Sequence, residues 1–114
     1  ISGIHYHCTI TDSMPAWSET EELNIYRIVQ ECLTNIIKHS GATEADINML
    51  TLSENRFLIS VIDNGRGFSL QTVDSGFGLT SIRERSAILN AKIAIDSVEG
   101  GGTRVILEVP YEQN

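Results

Sequence analysis

The stretch LNIYRIVQECLTNIIKH, residues 23–39, carries the pattern that decides the fold. Its apolar residues recur at the spacing of helical turns, which predicts an amphipathic α-helix with one face in a hydrophobic core. They are Leu23, Ile25, Ile28, Val29, Cys32, Leu33, Ile36 and Ile37. Ser18 and Glu21 have the spacing of a capping box, and Gly41 suits the end of a helix. We therefore predict one long helix between Ser18 and Gly41.

The elements on either side of this helix are predicted from alternating apolar residues and from turn residues. A second helix is predicted at residues 79–90. Five strands are predicted at residues 4–10, 45–52, 57–63, 92–98 and 103–109. The order strand, helix, strand, strand, helix, strand, strand indicates an α+β fold. We expect a two-layer α/β sandwich, in which the helices cover one face of a mostly antiparallel mixed sheet.

The composition fits one globular domain and disfavours several classes of function. The chain has 114 residues, 41% of them hydrophobic and 20% charged, which is enough for a single domain with its own core. Its 15 acidic and 8 basic residues give a net charge of −7, which disfavours a general nucleic-acid binder. We find no membrane-length apolar run and no signal peptide. Because residue 1 is not Met, we expect residues 1–114 to be one domain of a longer protein.

The two cysteines and the first two histidines are expected to have structural roles. Cys8 and Cys32 form neither a disulfide pattern nor a metal-ligand spacing. Each lies in an apolar run, so we expect two buried free thiols in a reducing, cytoplasmic setting. His5 and His7 alternate on the first predicted strand, and nothing in their spacing indicates chemistry.

A polar face on the first helix groups Glu31, Asn35, Lys38 and His39 about one turn apart. Asparagine can supply a neutral oxygen to Mg²⁺, which keeps several of its waters, and lysine can supply a point charge to phosphate. Glu31 can orient or deprotonate a nearby group. An ordinary solvated stripe would have the same pattern, so this face alone leaves both interpretations open.

The sequence DNGRGF, residues 63–68, follows an apolar strand and places Asp63 at the end of a buried element. A carboxylate there is costly unless a hydrogen-bond donor satisfies it, and the amine of a ligand could be that donor. Gly65 and Gly67 permit close approach of a ligand to the backbone. An ordinary turn is the alternative interpretation, because Asp, Asn and Gly are all turn formers.

Two further glycine-rich stretches could complete a site. GFGL, residues 76–79, leads into the second helix, whose N-terminus favours phosphate, and Arg83 and Arg85 could add charge. The glycines at residues 100–102 predict a turn that could place the Thr103 hydroxyl in a pocket. A flexible loop and a plain hairpin turn are the alternatives. Neither a Rossmann fingerprint nor a P-loop is present.

Taken in this order, the four stretches resemble the motifs of the GHKL superfamily of ATP-binding domains. That superfamily holds histidine kinases, type II topoisomerases, MutL-type repair ATPases and heat-shock chaperone ATPases. Residues 31–39 resemble its N box, 63–68 its G1 box, 76–79 its G2 box and 102–103 its final Gly-Thr motif. YRIVQECLTNIIKHSGAT and GFGLTSIRERSAILNAKIAIDS are similar to bacterial sensor kinases of the nitrate/nitrite-sensor type. The resemblance covers residues 4–110 and implies a Bergerat-type version of the sandwich.

The resemblance implies a role for each residue that matches a motif. Asp63 would bind the adenine amino group and Thr103 would reach adenine through water. Gly65 and Gly67 would shape the adenine pocket. These implied roles place the base at the ends of two predicted strands.

The same resemblance implies how the phosphates are held. Asn35 would coordinate Mg²⁺, and Lys38 and His39 would lie near the phosphates. Glu31 would act on the attacking histidine as a base or orienting group. The short stretch 69–75 would form an ATP lid. Lid hinges and phosphate contacts would come from Gly76, Gly78 and Leu79.

The function that the resemblance implies is that of a protein histidine kinase. The domain would bind Mg-ATP and donate the γ-phosphoryl group to a histidine on its own dimerisation domain, for relay to a response regulator. That domain is absent from residues 1–114, so we expect a monomeric chain that cannot phosphorylate itself, from a homodimeric parent. The implied location is the cytoplasm, with the parent free to carry an anchor in the bacterial inner membrane.

Three alternatives stay open at this point. They are another GHKL ATPase, an anti-sigma-factor-like serine kinase, and a degenerate nucleotide-binding domain that serves only in regulation. A His-bearing helical hairpin ahead of residue 1 in the parent gene would distinguish the sensor kinase from the other two enzymes.

Overall fold

A computed structural model describes residues 3–68 and 78–112, and these form a five-stranded sheet with two α-helices packed against it. The helices are α1 (Glu19–Asn35), which continues into a π-helical turn (Ile36–Ser40), and α2 (Leu79–Ile88). The strands are β1 (His5–Ile10), β2 (Glu44–Ser53), β3 (Arg56–Asp63), β4 (Lys92–Ser97) and β5 (Thr103–Pro110). The predicted α+β sandwich is confirmed, and none of the helices described is long and apolar enough to cross a bilayer.

The sheet is mixed, and its topology brings the ends of β3 and β5 together. The strand order is β1-β2-β3-β5-β4. Within the described ranges β1 and β2 pair in parallel, and the other neighbouring strands pair antiparallel. The register of β3 and β5 sets Asp63, the last residue of β3, opposite Thr103, the first residue of β5. Two residues that the sequence assigns to separate motifs are therefore neighbours.

α1 begins as its sequence predicts. Ser18 Oγ accepts the backbone N–H of Glu21 at 3.1 Å, and Glu21 Oε1 accepts the backbone N–H of Ser18 at 2.8 Å. This is a complete capping box, which satisfies two N–H groups that the helix start would otherwise leave unpaired. Glu19 and Glu22 add negative charge to the first turn, where the helix dipole favours it.

The core lies between the two helices and the sheet. Its most completely buried large side chains are Phe57, Ile28, Ile59, Ile82, Leu107 and Val109. Trp17 closes the core at the beginning of β3, because its ring makes edge-to-face contacts with Phe57 and Tyr111 at centroid distances of 5.5 and 5.9 Å. Edge-to-face pairs add about 0.5–1.5 kcal/mol beyond the burial of their surface. This end of the sandwich is held by aromatic packing.

The end of α1 differs from the regular helix that the periodicity predicts. α-Helical hydrogen bonding stops at Asn35, and the π turn follows to Ser40. Ser40 is buried, and its hydroxyl donates to the Ile36 carbonyl at 2.6 Å and accepts the N–H of Ala42 at 2.9 Å. A hydroxyl that bonds the carbonyl four residues back competes with the helical ladder. Gly41, at φ 63°, ends the turn as predicted.

β1 is exposed along its whole length, so the prediction of a half-buried strand is wrong for its side chains. Tyr6 and Ile10 are 39% and 52% exposed, and Cys8 is exposed as well. Their alternation is real, because Tyr6 and Cys8 lie beside the buried Ala45 and Ile47 of β2. β1 is however an edge strand, and the core covers the strands nearer the centre of the sheet. The expectation of a buried Cys8 thiol is therefore wrong.

Candidate functional site

A pocket opens at the end of the sheet where β3 finishes and β5 begins. Its polar lining residues are Asn35, His39, Ser40, Asp63 and Thr103. Its apolar and backbone walls are Cys32, Ile36, Val61, Val105, Leu79, Phe68 and Gly67. The space between these walls is about 460 Å³ when the solvent-filled mouth is included. The end of the first helix, the loop after β3 and the start of β5 thus meet at one pocket.

Asp63 is the charged group of this pocket, and it is 9% exposed. Its Oδ1 accepts the backbone N–H of Gly65 at 2.8 Å. Burial raises the pKa of Asp63 above its ordinary value of 3.8, while the N–H groups of Gly65 and Thr103 pull the pKa back down. The site thus places a buried acidic side chain and its acceptor oxygens among largely apolar walls, where a ligand N–H would be a favourable partner.

Gly65 and Gly67 are required by contacts between backbone segments. A Cβ at Gly65 would overlap the carbonyl of Ser40 in the π turn. Gly67 has φ 63°, and a Cβ there would overlap the carbonyl of Val98 in the β4–β5 hairpin. The loop 64–68 is therefore pressed between these two segments. Because they lack side chains, the two glycines allow the loop 64–68 to pack against both segments and form part of the pocket wall.

Asn64 is a residue whose role the motif analysis missed. Its Oδ1 accepts the N–H groups of Thr43 and Glu44, both at 3.0 Å, and its Nδ2 donates to Thr43 Oγ1 at 2.9 Å. Asn64 is exposed and does not line the pocket described above. It fastens the loop 64–68 to the start of β2. The preference of asparagine for hydrogen-bonding nearby backbone in turns was the available signal.

The polar residues of α1 do not all reach the pocket. Asn35 and His39 line it, whereas Lys38 is exposed and is not one of its lining residues. A regular helix would place Asn35, Lys38 and His39 on a common side, but the π turn has a wider repeat and changes their angular spacing. Glu31 lies beside Gly78 at the start of α2. The two residues are so close that a Cβ added to Gly78 would overlap the Glu31 carboxylate.

The glycine-rich stretch before α2 is described only from Gly78 onward. Gly76 lies outside the described residues, while Gly78 is the N-cap of α2 at φ 65° and Leu79 lines the pocket. Arg83 is exposed. Arg85 donates from Nη1 to Asn24 Oδ1 of α1 at 3.1 Å, so it links the two helices and is not one of the pocket-lining residues.

Cys32 forms part of the pocket floor and is 3% exposed. Burial, with a smaller contribution from the negative charge of Glu31, raises the pKa of the Cys32 thiol to about 12. The thiol therefore stays neutral and packs as a small apolar group, as predicted.

A resident metal centre made of protein ligands alone is not supported. Within residues 3–68 and 78–112, no three His, Cys, Asp or Glu side chains are grouped so as to hold a metal ion. Asn35 nevertheless offers a neutral oxygen donor at the pocket. Mg²⁺ is commonly held by one or two protein oxygens together with phosphates and water. The donor set therefore fits a magnesium ion that is bound together with a phosphate ligand.

Comparison with known proteins agrees with this geometry. The family model described as "Histidine kinase-, DNA gyrase B-, and HSP90-like ATPase" matches residues 20–113. The chain is 38% identical over 96 residues to the sensor histidine kinase LiaS of Bacillus subtilis, covering 83% of this chain and 26% of LiaS. It is 34% identical over 110 residues to the oxygen sensor histidine kinase NreB of Staphylococcus carnosus, covering 95% and 31%. The chain thus spans between a quarter and a third of these relatives.

Solved structures give the same fold. The blue-light activated histidine kinase of Erythrobacter litoralis superposes with a TM-score of 0.83 at 20% identity, over 98% of this chain and 36% of that one. The ATP binding domain of PrrB from Mycobacterium tuberculosis superposes with a TM-score of 0.74 at 17% identity, over 97% and 82%. With the family match across residues 20–113, the resemblance seen in the motifs is confirmed: the chain belongs to the family of histidine kinase-, DNA gyrase B- and HSP90-like ATPases.

Proposed function

We propose that this chain is the ATP-binding catalytic domain of a sensor histidine kinase. It binds Mg-ATP and donates the γ-phosphoryl group to a histidine on an adjacent dimerisation domain of a longer, homodimeric protein, for relay to a response regulator. The observation that carries nucleotide binding is the buried carboxylate of Asp63 in a largely apolar pocket. The names of the similar kinases support histidine as the acceptor.

We propose that the pocket holds a purine whose amine on C6 faces Asp63. A flat base gains free energy when it leaves water for apolar walls such as Val61 and Val105, which are both buried. Asp63 accepts an N–H of the amine in a charge-assisted hydrogen bond. A carbonyl at the same ring position offers no N–H and would repel the carboxylate. We therefore assign adenine, in preference to guanine, to this pocket.

The phosphates are assigned to the side of the pocket formed by the end of α1 and the start of α2. Asn35, His39 and Leu79 line this side. Gly78 caps α2 without a side-chain hydrogen bond, which suits a helix N-terminus that receives a phosphate group. Lys38 is exposed next to His39, and its flexible chain can add a positive charge outside the pocket.

Catalysis in this proposal consists of positioning and charge neutralisation, as in phosphoryl transfer generally. Asn35 would hold Mg²⁺, which when bound supplies positive charge to the phosphate oxygens. Glu31 lies beside Gly78, so its carboxylate can orient the incoming imidazole or take a proton from it. The imidazole belongs to the dimerisation domain, so residues 1–114 alone bind nucleotide without phosphorylating themselves. We propose that they are monomeric in isolation. We assign the domain to the cytoplasm, with or without a membrane anchor elsewhere in the parent.

Calorimetric titration with a non-hydrolysable ATP analogue, with and without Mg²⁺, tests the binding step. We expect saturable binding that tightens with Mg²⁺, and much weaker binding of the corresponding GTP analogue. Absence of binding would contradict the proposal. Addition of the dimerisation domain and labelled ATP then tests the transfer step, for which we expect acid-labile phosphate on that domain. Acid-stable phosphate on a serine of an added protein would instead identify a serine kinase.

A further inference from the structure

Ser97 lies outside the four sequence motifs, but its hydroxyl bonds two residues that line the pocket. We call this set of hydrogen bonds the Ser97 junction. It is the last residue of β4, and the register of β4 and β5 sets it opposite Thr103. Its Oγ lies 2.8 Å from Thr103 Oγ1 and accepts the backbone N–H of Phe68 at 2.9 Å. Thr103 and Phe68 both line the pocket, whereas Ser97 is not one of its lining residues. One hydroxyl therefore holds two separate parts of the pocket wall.

The hydrogen bonds around Ser97 allow either oxygen of the Ser97–Thr103 contact to be the donor, and the Gly102 carbonyl favours one of the two arrangements. Ser97 Oγ carries one proton, and in this arrangement the proton goes to the carbonyl of Gly102, which lies 3.3 Å away. Phe68 N–H fills one lone pair of Ser97 Oγ, so the short contact to Thr103 is satisfied when Thr103 donates to the other. The Thr103 proton is then turned away from the pocket. The lone pairs of Thr103 Oγ1 stay available as acceptors.

We infer that Ser97 is a positioning residue for recognition of the base, a conclusion that rests on the proposed function. By directing the Thr103 hydroxyl it makes Thr103 an acceptor, next to the carboxylate acceptor of Asp63, which itself receives the backbone N–H of Thr103. The two acceptors form an edge that selects a ligand presenting N–H groups, directly or through water. By accepting the backbone N–H of Phe68, Ser97 also fixes a second part of the pocket wall.

The test is a titration of the ATP analogue into a set of folded variants. Ser97→Ala removes the junction, and we expect about tenfold weaker binding. Ser97→Thr keeps the hydroxyl and is expected to bind within about twofold of the wild type. Ser86→Ala is the control, because the Ser86 hydroxyl also donates to a backbone carbonyl, that of Arg83 at 2.8 Å, but away from the pocket residues. We expect unchanged binding there.

A double-mutant cycle with Thr103→Val distinguishes positioning from general damage. If Ser97 acts through the Thr103 hydroxyl, Ser97→Ala costs clearly less in the Thr103→Val background than in the wild type. Equal costs in the two backgrounds, or wild-type affinity in Ser97→Ala, would overturn the inference. Ser97→Cys keeps the size with a weaker hydrogen-bonding group, and it takes the place of Ser97→Ala if that variant does not fold. Failure of the wild type to bind would instead refute the proposed function.

Discussion

The two ends of β3 are held by different kinds of interaction. At its beginning, Phe57 is fully buried against Trp17, which in turn contacts Tyr111, and each of these contacts is apolar. At its end, Asp63 is buried as a carboxylate, satisfied by backbone N–H groups. Apolar packing is non-directional, while a buried charge is tolerated only when its partners are in place. Apolar burial at the first end stabilises the fold. Burial of the carboxylate at the second end costs free energy, and the stability of the rest of the fold offsets this cost.

The largest effect should come from the apolar end. Phe57→Ala removes a fully buried aromatic side chain, and we expect the free energy of unfolding to fall by about 3–5 kcal/mol. Urea denaturation monitored by circular dichroism measures this loss. The protein that stays folded should bind the ATP analogue with unchanged affinity, because Phe57 and Asp63 occupy opposite ends of the strand. A large loss of affinity in the folded fraction would break the comparison.

Asp63→Asn should have the opposite profile. The amide can present an N–H where the ligand needs an acceptor, so we expect binding of the ATP analogue to weaken by about 1.5–3 kcal/mol. Stability should be kept, since the change removes a buried charge while preserving the shape of the side chain. Titration calorimetry and urea denaturation of the same sample give both values. Unchanged affinity would contradict the assignment of the adenine amine to Asp63.

Gly65→Ala sharpens the comparison by testing the backbone that holds the polar end. Its Cβ would overlap the Ser40 carbonyl, and relief of that overlap should cost about 1–3 kcal/mol of stability together with some affinity. Gly101→Ala is the matched control, because a Cβ there meets its nearest neighbour, Val98 Cβ, at 3.4 Å. Equal losses of stability for the two variants in thermal denaturation would show that the close contact between Gly65 and the π turn does not restrict the side chain at position 65.

The pH dependence of stability should reveal the cost of the buried carboxylate. Burial raises the pKa of Asp63 in the folded state above the 3.8 of an ordinary aspartate, so the folded protein binds this proton more tightly than the unfolded chain. The contribution of Asp63 to stability therefore decreases as pH rises from about 3.8 through the raised pKa. The stability of Asp63→Asn relative to wild type should increase over that interval. Urea denaturation of both proteins between pH 4 and 7 checks this, and a difference that shrinks with rising pH would contradict it.

Lys38→Ala should give the smallest effect. Lys38 is exposed and outside the pocket lining, so we expect at most about 1 kcal/mol of lost affinity for the ATP analogue. That loss should diminish further when salt is raised, because exposed charges are screened. Titrations at low and high salt measure it. A large and salt-independent loss would show that Lys38 enters the site when nucleotide binds.

Sequence reasoning succeeded where the physical cause is local. The capping box of Ser18 and Glu21 depends on residues three apart, and the carboxylate of Asp63 follows directly from the apolar strand before it. The junction at Ser97 was missed because it depends on the register between β4 and β5, which the sequence does not state.

Other features were missed because one pattern of residues is compatible with two different structures. Ile36 continues the apolar periodicity of α1 whether the turn that follows is α or π, so the displacement of Lys38 could not be read from spacing. The alternation in β1 describes a strand correctly, but whether anything covers its apolar face depends on its place at the sheet edge.

The peptide groups of Arg66 connect the two segments that enclose the loop 64–68. Its N–H donates to the Ser40 carbonyl at 2.8 Å, and its own carbonyl accepts the N–H of Gly100 at 2.6 Å. The Arg66 side chain itself is exposed. Random mutagenesis should therefore recover nearly every amino acid at position 66 in functional clones, with proline the exception because it lacks the N–H. Substitution at position 66 can therefore change the surface charge of the loop while both backbone bonds stay in place.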